Sequence, residues 1–400
     1  MTTIAFKLSG RQPPVSVEGY RRAARRAVPL MVWTYVDGAA DDWVTLAENR
    51  DAFGQWWLRQ RVLTGHAHHD LTIQLEGERL ALPVLVAPTG LNGLSHWQGD
   101  IAVARGAEDA GTRLVLSSAG THSIEEVAAA ARARHWFQLY PWRDRELIGS
   151  LIERARRSGY RSMVVTVDVP AVGNREGERL HGLGLPPVLT PRRVLDAGLH
   201  PRWAYGFLRH RRVSLRNLVD AGGIAAGTAS AELQTQQLNV GHINWEDFAW
   251  IRERWAGPLY IKGVMDSEDA DQAVSLGADG VVVSNHGGRQ LDGTVSALGA
   301  LGPIADRVGD RVTVLFDGGI RRGSDVVKAL CLGADACLVG RAAVYGLIVA
   351  GAAGVADVLR ILGDEIVRTL TLMGVPSVAE LDRSWLIPRG APERAPDLEP

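Results

Sequence analysis

The sequence predicts an α/β fold, a parallel (β/α)8 barrel (TIM barrel) with an N-terminal helical segment and a long insertion after strand 4, and three observations carry that expectation. Eight short apolar runs alternate with longer amphipathic stretches from residue 82 onward. Several of those stretches end in Gly-Ala or Gly-Tyr just before the next apolar run, where a helix C-terminal glycine belongs. Polar residues and glycines gather at the ends of the runs, the face on which a barrel carries its chemistry. A doubly wound open sheet shares the alternation, but a count of eight favours closure.

Residues 17–27 mix Arg, Ala and Tyr as a helix does, and Pro29 opens a second helical run through Met31, Val32 and Tyr35 that Asp37-Gly38 breaks. Strands are expected at 82–87, 114–117, 136–140, 163–168, 259–262, 280–284, 312–317 and 336–339. Helices are expected at 124–133, 146–157, 267–276 and 324–332. Between Asp168 and Leu259 lies far more chain than a βα connection needs, an insertion spanning about residues 176–243. Its first half interleaves Arg192, Arg193, Arg202, Arg209, Arg211, Arg212 and Arg216 with Trp203, Tyr205, Phe207 and Leu208. That mixture suits a lid, a partner surface or peripheral contact with an anionic membrane. Residues 221–231 are small and Gly-rich, which predicts mobility, and Asn244 is the expected cap of the helix that follows. One domain is therefore expected over residues 1–388, with the proline-rich, charged residues 389–400 as a disordered tail.

Apolar residues at 46% and charged residues at 22% exclude disorder for most of the chain and supply a large core. A formal net charge of -1 gives no global reason to bind nucleic acid. Cys331 and Cys337 make no metal-ligand spacing and are expected as buried free thiols, in keeping with a reducing cytoplasm. No charged segment followed by a long apolar run opens the chain, and no uninterrupted apolar segment reaches membrane-spanning length, so a cytoplasmic protein is expected.

The stretch Ser284-Asn285-His286-Gly287-Gly288-Arg289-Gln290-Leu291-Asp292 follows the apolar run Gly280-Val281-Val282-Val283. Its histidine titrates near neutrality and can take a proton, and its arginine can hold a carboxylate in a two-point grip. Together they describe the deprotonation of an acid-bearing substrate, while the glycines let backbone approach a flat ligand. Taken alone the stretch also suits a plain turn. The other strand ends add Pro88-Thr89-Gly90, Ser117-Ser118, Gln138 with Tyr140, Thr166 with Asp168, Lys262, Asp317-Gly318-Gly319 with Arg321, and Gly340-Arg341. Glycines and arginines after the last two strands are what a barrel's phosphate site requires, so a phosphorylated cofactor or substrate is expected.

These residues resemble the FMN-dependent 2-hydroxy acid oxidases and dehydrogenases, the family that includes glycolate oxidase, lactate oxidase and mandelate dehydrogenase. The resemblance runs from about Tyr20 to Gly374 and is most specific over residues 284–292. It implies FMN as cofactor and oxidation of an L-2-hydroxy acid to the 2-oxo acid. His286 is then the implied base, Asp168 its carboxylate partner, Arg175 and Arg289 the clamp on the substrate carboxylate, and Tyr35 and Tyr140 further hydrogen-bonding groups. Lys262 is implied at the N1/O2 edge of the isoalloxazine, where a fixed cation favours the anionic reduced flavin. Ser117, Gln138 and Thr166 resemble residues that bond the ring and ribityl chain, and Asp317, Gly319, Arg321, Gly340 and Arg341 those that bond the ribityl and phosphate. Pro88, Thr89, Gly90 and Ser284 complete the implied cofactor set. The resemblance further implies a homo-oligomer such as a tetramer and an electron acceptor that is oxygen, a quinone or another carrier.

Departures from the family pattern bear on the substrate. The stretch Gly173-Asn174-Arg175-Glu176-Gly177-Glu178-Arg179 keeps the pattern only in part, leaving Arg175 and Arg179 both as candidates for the carboxylate grip. Ala119 stands where glycolate oxidase has tryptophan, so room is expected for a bulky or aromatic substrate side chain unless Trp203 or Phe207 folds over and fills it. Gly90 is alanine in many oxidases of the group, and its missing methyl alters access to the flavin. Two rival readings remain at this stage: oxidative tailoring of a peptide or natural product, and an FMN-binding scaffold without turnover. A scaffold has no need of His286, Arg289 and Lys262 together.

Overall fold

The computed structural model describes residues 13–183, 188, 190–210, 214–218 and 243–390. Eight parallel strands run β1 Val84–Val86, β2 Val115–Ser117, β3 Trp136–Leu139, β4 Met163–Thr166, β5 Leu259–Val264, β6 Gly280–Val283, β7 Thr313–Asp317 and β8 Ala336–Val339. Each lies within or beside an expected run, and sequence neighbours pair in order around the sheet. β8 pairs back onto β1, with Leu338 opposite Leu85, and a parallel bridge between Val86 and Leu114 joins β1 to the start of β2. Those two contacts close the barrel and exclude the open sheet.

Strand side chains alternate between the barrel interior and the helices, and both sides are dry, so the strands read as unbroken apolar runs. Leu85, Val115, Trp136, Val164, Tyr260, Val282 and Leu315 face inward and form one buried cluster with Leu75 and Leu80 of a hairpin, Ile73–Leu75 and Glu78–Leu80. The hairpin seals the barrel at the strand N-terminal ends, where Glu76 accepts from the Tyr260 hydroxyl and the Glu76 carbonyl accepts from Arg161. Chemistry is thereby confined to the opposite mouth. Outward residues such as Val84, Phe137, Val165 and Val281 pack beneath the helices. Cys331 and Cys337 are buried and unpaired, as expected.

The N-terminal helices are Val17–Arg25, capped by Ser16 through Gly19 N–H, and Leu30–Asp37, which stops at Gly38. The segment Arg341–Met373 is long and apolar enough to cross a membrane by length and composition, a feature that the sequence reading passed over. It is broken at Ala350 and Gly351, and its apolar part is mostly buried against the body of the protein. A Cβ on Gly346 would fall 2.3 Å from the carbonyl oxygen of Gly354, so only glycines let the two half-helices approach this closely.

Three helices of the insertion are described: Glu176–Leu180, Pro191–Gly198 and Pro201–His210. Asp196 accepts from Leu30 N–H at 2.7 Å, and Trp203 Nε1 donates to the Leu94 carbonyl at 2.7 Å, so the insertion rests on the N-terminal helices and on the loop after β1. Asn244 caps Trp245–Arg254 with a reciprocal bond from Asp247, as expected. Residues 221–231, Arg211, Arg212 and the tail from 391 lie outside the described residues. Arg389, assigned above to a disordered tail, instead donates its N–H to Gln55 at 2.7 Å, extending the pairing of Leu386–Pro388 with Trp56–Leu58.

Candidate active site

At the end of β6 the chain makes three left-handed residues in succession, His286 (φ 57°), Gly287 (φ 65°) and Gly288 (φ 75°). For histidine that conformation is strained and must be held from outside. His286 N–H donates to Ser284 Oγ at 3.0 Å, and Gly288 N–H to Asn285 Oδ1 at 3.2 Å. The N-terminal segment supplies the rest: Asn49 and Asn285 exchange amide bonds of 2.8 and 2.9 Å, and Asp292 accepts from the N–H groups of Asp42, Val44 and Thr45. A Cβ on Gly288 would sit 2.7 Å from Leu46 N, which explains the second glycine.

The turn aims His286 into a cavity of about 350 Å³ at the barrel mouth. Its Nδ1 lies 2.9 Å from Asp168 Oδ1, just beyond β4. Burial, together with the nearby charges of Lys262 and Arg175, lowers the histidine's pKa further than Asp168 and its hydrogen bond raise it, so the ring is neutral at pH 7. Burial pushes Asp168 the other way, but His286 and Lys262 outweigh it and hold the carboxylate below its ordinary range. Lys262 lies buried near the end of β5, 3.0 Å from Asp317 Oδ2 and donating to Ser284 Oγ at 2.9 Å. Although burial disfavours its charge, Asp317 and Asp168 keep it protonated.

Arg289 donates through Nη1 to the carbonyls of Tyr35 (2.7 Å) and Gly38 (3.1 Å) and through Nη2 to Glu178 Oε1 (2.7 Å). Arg175 bonds Gln290 Oε1 at 2.9 Å through Nη2, while its Nη1 has no partner among the described residues. Arg175 lines the cavity; Arg179 is exposed and bonded to Asn174. Of the two arginines left open by the sequence, Arg175 is the one on the cavity wall. Tyr35 donates to the Gly90 carbonyl at 3.0 Å, and Tyr140 lines the same wall, its phenol pKa raised by burial.

Pro88, Thr89, Gly90, Asp317, Gly319, Arg321, Gly340 and Arg341 also line the cavity, whereas Ser117, Gln138, Thr166, Asp168 and Ser284 are not among its lining residues, and Thr166 lines a neighbouring hollow with Tyr140. Ser117 donates to Gln138 Oε1 at 3.0 Å. Trp203 and Phe207 do not enter; they stack on each other at 4.8 Å beside a different hollow. The insertion instead contributes Glu178, Leu183 and Leu215, and Val172 and Ala119 complete an apolar wall. Sequence reasoning missed Glu178 as a site residue, and its only signal was its place three residues after Arg175.

The FMN-dependent dehydrogenase family matches residues 24–388. The chain belongs to that family. It is 40% identical over 385 residues to the (S)-mandelate dehydrogenase of Pseudomonas putida, covering 95% of this chain and 96% of that protein. It is 43% identical over 376 residues to an L-lactate dehydrogenase of Caulobacter vibrioides, covering 94% and 98%. Among solved structures, the monotopic membrane protein (S)-mandelate dehydrogenase superposes with a TM-score of 0.91 at 40% identity, covering 94% of this chain and 100% of that one. A mandelate oxidase superposes with a TM-score of 0.78 at 34% identity, covering 93% and 98%.

The protein is therefore an FMN-dependent 2-hydroxy acid oxidase or dehydrogenase, and its own atoms suit the cofactor. Gln138 Nε2, Thr166 Oγ1, Arg321 Nε and Arg341 Nε are buried without a partner among the described residues, an arrangement that a bound polar ligand satisfies. Arg341 donates only to the carbonyls of Gly287 and Gly38, and Arg321 to that of Ile320, so neither guanidinium has a carboxylate among the described residues. Burial, with Arg289 nearby, pushes Arg341 down to about 10, a cost that a phosphate dianion relieves. The glycines expected beside a phosphate are in place: Gly319 has φ 80° and no room for a Cβ against the Asn49 carbonyl.

Proposed function

We propose that the protein oxidises an L-2-hydroxy acid with a bulky or aromatic side chain to the 2-oxo acid, with His286 as the base. The observation that carries this reading is the neutral, Asp168-bonded imidazole facing the same cavity as Arg175 and Arg289. With Nδ1–H donated to Asp168, Nε2 is the nitrogen with a free lone pair and takes the substrate proton. Asp168 then stabilises the imidazolium that forms. Arg175 and Arg289 hold the substrate carboxylate, and Tyr35 and Tyr140 add hydrogen bonds. Bound FMN supplies the acceptor for the two electrons released with that proton. Ser117, Gln138, Thr166 and Ser284 bond the ring and ribityl chain, Lys262 presents a fixed positive charge to the ring, and Arg321 and Arg341 hold the phosphate.

The apolar wall of Ala119, Val172, Leu183 and Leu215 supports a large substrate side chain. Oxygen, a quinone or another acceptor returns the flavin to its oxidised form. Val194, Leu195, Leu199, Tyr205 and Leu208 are exposed beside Arg192, Arg202 and Arg209, and a structural neighbour is titled a monotopic membrane protein; both support peripheral membrane contact through the insertion. The reading includes a cytoplasmic location and a homotetramer, as the family resemblance implies, with no nucleic-acid partner. Anaerobic bleaching of the flavin by glycolate, lactate and mandelate tests it. Mandelate should bleach fastest, and a flavin that no 2-hydroxy acid bleaches would sink the reading.

A further inference from the structure

We infer that Glu178 sets the charge of the substrate-anion site, so that it accepts acids carrying one negative charge and rejects dianions. The inference rests on the reading that Arg175 and Arg289 hold the substrate carboxylate. Glu178 comes from the first short helix of the insertion, Glu176–Leu180, and lies inside the catalytic cavity, its Oε1 2.7 Å from Arg289 Nη2. Both side chains of the pair are mostly buried, at 13% and 14% exposure, so the attraction is poorly screened by solvent. The two guanidiniums are close enough that Arg289 lowers the proton affinity of Arg175 and Glu178 raises it again.

Two fixed cations and one fixed anion leave one positive charge. A single carboxylate neutralises it, bonding the unpartnered Nη1 of Arg175 and the edge of Arg289 that Glu178 leaves open. Among the described residues that line the cavity, the other charged groups are engaged elsewhere. Lys262 is engaged by Asp317, Asp168 adds a further negative charge behind His286, and Arg321 and Arg341 belong to the phosphate end. The cavity also presents the apolar residues Ala119, Val169, Val172, Leu183 and Leu215, and Glu178 lines it with them. A second carboxylate there is desolvated beside a like charge.

The test uses the FMN-loaded protein and two ligands that cannot be oxidised, succinate and its monomethyl ester, which share a skeleton and differ by one charge. Binding is read from the change in flavin absorbance. In the unmodified protein the monoester should bind about tenfold or more tightly than succinate, the size expected of one poorly screened like-charge contact. Glu178→Gln should bring the two affinities within about threefold, and Glu178→Asp should restore the gap. Equal binding of the two ligands by the unmodified protein overturns the inference, as does a Glu178→Gln protein that keeps the gap. The first comparison decides even if that variant does not fold. Arg289→Lys separates the two levels of the argument: if it weakens neither ligand, the clamp and the inference both fall. If it weakens both while charge number makes no difference, only the inference about Glu178 fails.

Discussion

Nδ1 of His286 stands 2.9 Å from Oδ1 of Asp168, and burial of the imidazole, with Lys262 and Arg175 nearby, outweighs that carboxylate in setting its proton affinity. Flavin reduction should therefore be level from neutral to alkaline pH and fall only as pH drops through a pKa below the ordinary 6.5. Asp168→Asn removes the upward pull, so the acid limb should move to still lower pH while the plateau drops by about ten- to a hundredfold. Stopped-flow rates across pH would show it, and a limb displaced to higher pH would contradict the assignment. The sign for stability is the same. The unfolded chain binds this proton more readily than the folded one, so the histidine's contribution is present above about 6.5 and lost as pH falls towards the folded value.

His286→Asn should keep the flavin and lose reduction by about 10²- to 10⁴-fold. The buried atoms that lack a partner among the described residues, Gln138 Nε2, Thr166 Oγ1, Arg321 Nε and Arg341 Nε, belong to other side chains, so the visible spectrum should persist. Rapid bleaching of this variant by mandelate would remove His286 from the reaction.

Ala119 faces the cavity, and the space of a Cβ on Gly90 lies only 3.2 Å from its methyl. An indole at position 119 would enter the cavity that Val172 and Leu215 also line, the volume assigned to the substrate side chain. Ala119→Trp should lower kcat/KM for mandelate relative to glycolate by about tenfold or more, since each lost methylene-sized contact is worth on the order of 1 kcal/mol. A preference of the unmodified protein for glycolate would refute the open pocket.

Leu195, Leu199 and Leu208 are exposed on the two longer insertion helices, and none of them lines the catalytic cavity. Replacing all three with glutamate should abolish co-sedimentation with vesicles containing an acidic lipid and leave the rate of flavin reduction unchanged. Undiminished co-sedimentation would mean that another surface meets the membrane.

Much of this protein is written in short-range patterns. The eight strands are legible because a strand that is dry on both faces must be apolar at nearly every position, as at Gly280–Val283. His286, Arg289, Lys262 and Arg341 are legible because each closely follows or ends such a strand, and strand ends define the barrel mouth whatever the loops do. Chain distance hid the rest. The strained turn at His286 is held by Asn49 through Asn285, 236 residues apart, and no local pattern announces that pairing. The place of Arg175 rather than Arg179 on the cavity wall, the docking of Trp203 on Leu94 rather than in the cavity, and the meeting of Glu178 with Arg289 depend on how the insertion folds back over the mouth. A sequence displays periodicity and turn chemistry because they act between near neighbours; which buried charge finds which partner is decided by packing, where burial makes an unmatched ion costly and the fold settles where each one goes.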